Sequence, residues 1–289
     1  MRNIYIGFAI DMDGAFHNKI NFTGGIIPES HPKYDFYTNE MNVFLEGMDK
    51  LFNFFDKYNC QKSATWFVNE FAFKTSKIYP EIIDKCIKLG ELGLHTHFDA
   101  HQLGGQGRYI TKNKNDWFEE GLQIPTNDLQ NILNKNNKKI MSFKAGCHLR
   151  NDEMFDAIGE LGYIYDTTMV YEDTLVDPDG NVRYDDTKLE CGTLPFFINT
   201  ENNYRLLEIP EIRPNLRKIK KHIEKTPEGA PIFIRLQVHP FDVIEQPTFL
   251  DNLVKVINYC NTVGNVKFKN IEEMGDLFID YEMMKINNN

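Results

Sequence analysis

Short apolar runs rich in β-branched and aromatic residues alternate along this chain with longer stretches whose apolar positions recur every third or fourth residue. The first pattern is that of buried strands and the second that of amphipathic helices. The sequence therefore predicts strands near 3–10, 63–68, 91–95, 139–144, 163–168, 205–209, 231–238 and 265–269. Helices are predicted near 39–58, 79–89, 126–135, 151–161, 215–224, 247–262 and 271–280. The stretch from Met41 to Tyr58 shows the helical period most clearly, with Phe44, Leu45, Met48, Leu51, Phe52 and Phe55 on one face. Asn151-Asp152-Glu153 supplies capping chemistry at a helix start, and Gly162 stands where that helix would end.

Strand and helix repeat about seven times, which points to a parallel, barrel-like α/β fold rather than a sandwich. No linker divides the chain, so residues 1–289 read as one domain. Two long irregular stretches, 14–38 and 169–204, follow the first and fifth strands. Loops of that length after barrel strands more often shape a pocket than fill space. Within the second, Asp177-Pro178-Asp179-Gly180 is a turn signal suited to closing a hairpin.

Composition narrows the choice of partners. At 289 residues and 42% hydrophobic, the chain can bury one substantial core. A formal net charge of -10 argues against a nucleic-acid groove, and the basic run from Arg217 to Lys221 reads as a solvated helix face. No apolar run has transmembrane length and no secretory signal precedes the first strand, so no membrane insertion and a cytoplasmic location are expected. Cys60, Cys86, Cys147, Cys191 and Cys260 are odd in number and scattered, consistent with reduced thiols.

The chemistry gathers at strand ends. Asp11-Met12-Asp13-Gly14 follows the first apolar run, and alternate residues of an extended chain face the same way. Two carboxylates side by side repel unless a cation joins them; one would then ligate a metal while the other serves as a general base. His95-Thr96-His97-Phe98-Asp99-Ala100-His101 follows the third run and offers two pairs at helical spacing, His95/Asp99 and His97/His101. On a helix those pairs face roughly opposite sides, so they would not share one ion. Lys144 ends another strand, where its ammonium could orient the Asp11 carboxylate. His239, fixed at a strand exit by Pro240, is a candidate acid.

Taken together, these motifs resemble the NodB-like polysaccharide deacetylases, carbohydrate esterase family 4. Ala9-Ile10-Asp11-Met12-Asp13-Gly14 is similar to the family's first motif, and Ser63-Ala64-Thr65-Trp66-Phe67-Val68 to its second barrel strand. Glu91-Leu92-Gly93-Leu94-His95-Thr96 resembles the second motif and Phe143-Lys144-Ala145-Gly146-Cys147 the third-motif region. Leu207-Glu208-Ile209-Pro210 and Gln237-Val238-His239-Pro240 resemble the later ones.

The resemblance implies a distorted (β/α)7-type barrel that holds a divalent metal and hydrolyses an N- or O-acetyl group on a sugar. Carried over by position, it makes Asp11 the base, His239 the acid, Lys144 the partner of Asp11 and the Cys147 backbone N–H an oxyanion donor. Asp13, His95 and Asp99 become the metal ligands, with His97 and His101 as the alternative pair. Two departures stand out: Asp99 occupies the place of a second histidine, and Lys144 that of an arginine. Zinc is the first expectation; the second carboxylate would widen the choice toward manganese, iron or cobalt. The expected substrate is an acetylated sugar or glycan, an intermediate of surface-glycan assembly. Two rivals remain open: a silent glycan-binding member of the fold, and a metal-dependent amidohydrolase acting on a small non-sugar amide.

Overall fold

The computed structural model describes residues 1–13, 34–69, 72, 80–97, 117–148, 150–171, 174–176, 182–185 and 193–287. Its strands are β1 (Arg2–Asp11), β2 (Ala64–Val68), β3 (Gly90–Thr96), β4 (Ser142–Ala145), β5 (Tyr165–Asp166), β6 (Thr174–Val176), β7 (Val182–Asp185), β8 (Phe196–Asn199), β9 (Arg205–Glu208), β10 (Glu211–Ile212), β11 (Ile232–Val238) and β12 (Gly264–Phe268). The α-helices are α1 (Tyr34–Lys57), α2 (Pro80–Leu89), α3 (Ile124–Asn134), α4 (Asp152–Glu160), α5 (Leu216–Lys225), α6 (Asp242–Glu245), α7 (Phe249–Val263) and α8 (Ile271–Asn287).

The main sheet runs β10-β11-β1-β2-β3-β4-β5-β9-β8, parallel throughout except where β8 joins β9. Its curl is set by one stretch of chain. Only Ile209-Pro210 separates β9 from β10, yet β9 pairs with β5 (Asp166 beside Glu208) while β10 pairs with β11 (Glu211 beside Arg235). Bonding on the β5 side continues past Pro210, where Ile209 donates to Asp166 and Glu211 to Met169, while Glu211 and Ile212 take up β11 on the other edge. The two flanks of the sheet thus meet in consecutive residues, giving the distorted α/β barrel. A second irregularity lies at β1, whose first half pairs with β12 and whose last four residues pair with β2.

Strand alternation sorts the side chains. On β1, Ile4, Ile6, Phe8 and Ile10 join the core between sheet and helices, with Phe44, Phe55, Trp66 and Leu236. Tyr5 belongs to a separate cluster with Tyr165, Leu207 and Phe233, closed off by Met274 and Phe278 of α8. Asp11 and Asp13 continue the Tyr5 series, so the alternation that buries the outer core also turns both carboxylates into the barrel. Every fully buried Phe on the outer side contributes about 1.5–3 kcal/mol, enough to hold that register firmly.

The expected strands form with shifted ends, and the run expected at 205–209 is shorter, with β10 added beyond Pro210. α1 begins at Tyr34 and α8 continues to Asn287, both beyond their expected ends. β6 and β7 form the expected antiparallel hairpin, though its turn at 177–180 lies outside the described residues. β8 was not expected, since Phe196–Asn199 sits in a stretch with no sustained alternation. No helix among the described residues is long and apolar enough to cross a membrane.

Candidate active site and metal centre

The C-terminal ends of β1, β3, β4 and β11 open onto a cavity of about 590 Å³. Asp11, Asp13, His95, His97, Lys144 and His239 all line it. Residues from four separate strands therefore share the face where barrel folds gather reactive side chains.

Asp13, His95 and His97 form one group, each offering a ligand atom within 4.8 Å of the others. The Nε2 atoms of His95 and His97 lie 3.5 and 3.3 Å from Asp13 Oδ2. Ligand atoms about 2.0–2.1 Å from a tetrahedral ion stand roughly 3.3 Å apart, so the donor set fits a divalent metal. Second contacts fix two of these side chains. His95 Nδ1 donates to the Lys144 carbonyl at 3.1 Å, which turns Nε2 toward Asp13. Asn69 Nδ2 donates to Asp13 Oδ1, and Asn69 Oδ1 accepts from the Ala72 N–H at 2.9 Å. Gly146 makes room for His97: a Cβ there would lie 2.5 Å from its Nδ1.

This geometry differs from the helical spacing considered in the sequence. β3 is extended through Thr96, so His95 and His97 are related by the period of two, not four. His97, expected only in the alternative pair with His101, stands beside His95, their rings edge to face at 4.7 Å. Asp99 and His101 lie outside the described residues.

The second group surrounds Asp11. Lys144 Nζ donates to Asp11 Oδ2 at 2.5 Å and to Glu211 Oε2 at 2.6 Å, and neither Lys144 nor Glu211 has any exposed surface. His239 Nε2 approaches the same Asp11 oxygen at 3.2 Å, while its Nδ1 meets Asp242 Oδ2 at 2.8 Å. Burial alone would raise the Asp11 pKa, but Lys144, His95 and His239 outweigh it and hold the carboxyl well below its usual range. Burial opposes protonation of His239, yet its bonds to Asp11 and Asp242 prevail and push it up to about 10. Glu211 is pushed up to about 7 by burial, only partly offset by Lys144.

Several of these residues were not singled out in the sequence. Glu211 follows Glu208-Ile209-Pro210, one residue past a motif already noted, and it meets Lys144 only because the sheet closes at that point. Asp242 carries a local signal, standing three residues after His239 where a turn returns the chain on itself. Asn69 and His148 carried none. His148 adopts a left-handed backbone with φ +54° and donates from Nδ1 to the Thr168 carbonyl at 2.8 Å. Cys147 is the middle residue of the turn Gly146–His148 that leaves β4.

No protein-family model matches this chain, and no curated protein does. Solved structures do. A protein described as a polysaccharide deacetylase from Mycobacterium smegmatis superposes with a TM-score of 0.64 at 13% identity, over 97% of this chain and 92% of the other. PuuE allantoinase gives 0.62 at 13%, over 94% and 88%. A protein described as a polysaccharide deacetylase from Pseudomonas aeruginosa PAO1 gives 0.60 at 14%, over 94% and 89%. The likeness is one of fold. It extends over nearly the whole chain.

Proposed function

We propose that this chain is a metal-dependent hydrolase that removes an acetyl group from an N- or O-acetylated sugar, a cytoplasmic intermediate of surface-glycan assembly. One observation carries the reading: a buried carboxylate gripped by a lysine and a histidine stands two residues from a carboxylate–imidazole–imidazole group, in one cavity. Asp13, His95 and His97 would hold the ion; one carboxylate and two imidazoles suit zinc first. If Asp99 joined them, the oxygen-richer set would suit manganese, iron or cobalt as well. When bound, the ion polarises the acyl carbonyl and offsets charge developing on its oxygen.

The remaining steps belong to the chain's own groups. Asp11, kept ionised by Lys144, accepts a proton from the attacking water. The backbone N–H of Cys147 donates to the developing oxyanion. His239, oriented by Asp242, is protonated at neutral pH and gives its Nε2 proton to the departing amine or alcohol. Cys147 needs no thiol chemistry in this scheme.

A pH dependence follows from His239. Its raised pKa means the acid form persists through neutral pH and is lost as pH rises through about 10. The accompanying stability has the same sign: it is fully present below the unfolded value of 6.5 and disappears as pH rises through about 10. In Asp242→Asn the alkaline limb of kcat/KM should move toward neutrality, because one of the two anions that raise the pKa is gone. A limb that stays in place contradicts the acid role.

The fold likeness to PuuE allantoinase favours a second reading, hydrolysis of a small non-sugar amide. A panel of N-acetylated sugars, O-acetylated sugars, nucleotide sugars and simple amides, incubated with zinc-, manganese- and cobalt-loaded protein, separates the two. Acetate release from sugars supports deacetylation. Turnover confined to the simple amides supports the second reading instead.

A further inference from the structure

One buried aromatic side chain stands beside the proposed acid and outside the hydrophobic core. Phe241 is 3% exposed, belongs to neither hydrophobic cluster and lines the cavity with His239. Its ring stacks on the His239 imidazole, with centroids 4.7 Å apart and planes 22° from parallel. Membership of the core does not account for its burial, which points instead to the imidazole it covers.

The local sequence brings the two rings together. His239-Pro240-Phe241-Asp242 is a tight turn, closed by the Asp242 N–H donating to the His239 carbonyl at 3.1 Å. Pro240 occupies its second position, where a fixed φ suits such a turn. Phe241 continues it with φ -69° and ψ -31°, and α6 starts at the next residue. Helix α1 backs the turn: a Cβ on Gly47 would lie 2.1 Å from the Pro240 carbonyl oxygen. The turn therefore rests directly on helix backbone and has little room to shift.

The charged groups around His239 leave one motion unrestrained. Asp11 Oδ2 from β1 stands 3.2 Å from Nε2, and Asp242 Oδ2 from α6 stands 2.8 Å from Nδ1. Lys144 of β4 donates to the same Asp11 oxygen. Contacts at the two ring nitrogens fix their positions but permit the imidazole to tilt about the line joining them. A second ring laid on its face removes that freedom. The face of a phenyl ring is also its electron-rich side, so it attracts a positively charged imidazole.

We propose that Phe241 is a positioning residue: stacked on His239, it holds the acid in the plane from which Nε2 delivers its proton and stabilises the charge the acid carries. This rests on the hydrolase reading above and adds to it the residue that orients the ring of the acid.

The test uses metal-loaded protein and two probes: N-acetylglucosamine, whose amine departs only with a proton, and 4-nitrophenyl acetate, whose phenolate departs without one. Phe241→Leu should lower kcat for N-acetylglucosamine by about tenfold or more, a part of what a positioned acid supplies, with KM changed by less than about twofold. The same variant should slow 4-nitrophenyl acetate by less than about threefold, since that reaction needs no acid. Phe241→Tyr keeps an aromatic face and should recover most of the loss. Equal losses on both probes would mean that Phe241 acts only through the fold, and no loss on either that it does not act on His239; both overturn the proposal. If N-acetylglucosamine releases no acetate, the sugar-deacetylase reading fails for this compound, and an NMR titration of His239 decides the role of Phe241. An apparent pKa lower by about half a unit or more in Phe241→Leu, restored in Phe241→Tyr, supports it; an unchanged value overturns it.

Discussion

Asp11→Asn will lower turnover by roughly a hundred- to ten-thousand-fold while leaving bound metal unchanged, the range expected when a positioned proton acceptor is removed. The substitution should be accommodated structurally. Both Lys144 and His239 approach Asp11 Oδ2, whereas Oδ1 has no hydrogen-bond partner among the described residues. An asparagine can place its oxygen where Oδ2 stands, so Lys144 and His239 keep an acceptor. The ion pair of Lys144 with Glu211 survives. Single-turnover assays alongside metal analysis check this directly. If metal is lost instead, Asp11 is a ligand and the roles of the two aspartates are reversed.

Lys144→Met should produce the largest stability change. Asp11 and Glu211 are both buried, and the ammonium between them is what keeps them compatible. Breaking a buried pair by removing one partner costs about 3–5 kcal/mol, because an uncompensated charge is left behind. The loss should depend on pH in a definite direction. Glu211 is already raised to about 7 with Lys144 present. A carboxyl raised in the folded state contributes stability below its unfolded pKa, and that contribution vanishes as pH rises through the folded value. Without Lys144 the folded value rises further, so urea melts of the variant should show a smaller deficit at pH 5 than at pH 8. Adding Glu211→Gln should recover part of the loss at pH 8. A deficit independent of pH would mean that lost packing, not charge, is responsible.

The repeating strands and helices were legible because their signals are local. The period of two on β1 and the period of three to four on α1 are each written in a single segment. The same period of two turned Asp11 and Asp13 inward together. Lys144 and His239 were legible for a related reason: each ends a strand, and in a parallel barrel strand ends converge. The partners that depend on tertiary closure were not. Glu211 reaches Lys144 across 67 positions because the two flanks of the sheet meet through β9 and β10. His95 and His97 reach Asp13 as neighbours on an extended strand end, a geometry hidden by the more conspicuous spacing of four in the same run.

The account rests on one divalent ion held by Asp13, His95 and His97, and elemental analysis of purified protein tests it most directly. Wild-type protein should contain one equivalent of a divalent metal, lost in Asp13→Ala and lost or greatly weakened in His97→Ala. A metal-free wild-type protein that cannot be loaded, or a His97→Ala variant that binds metal as tightly as wild type, would contradict it.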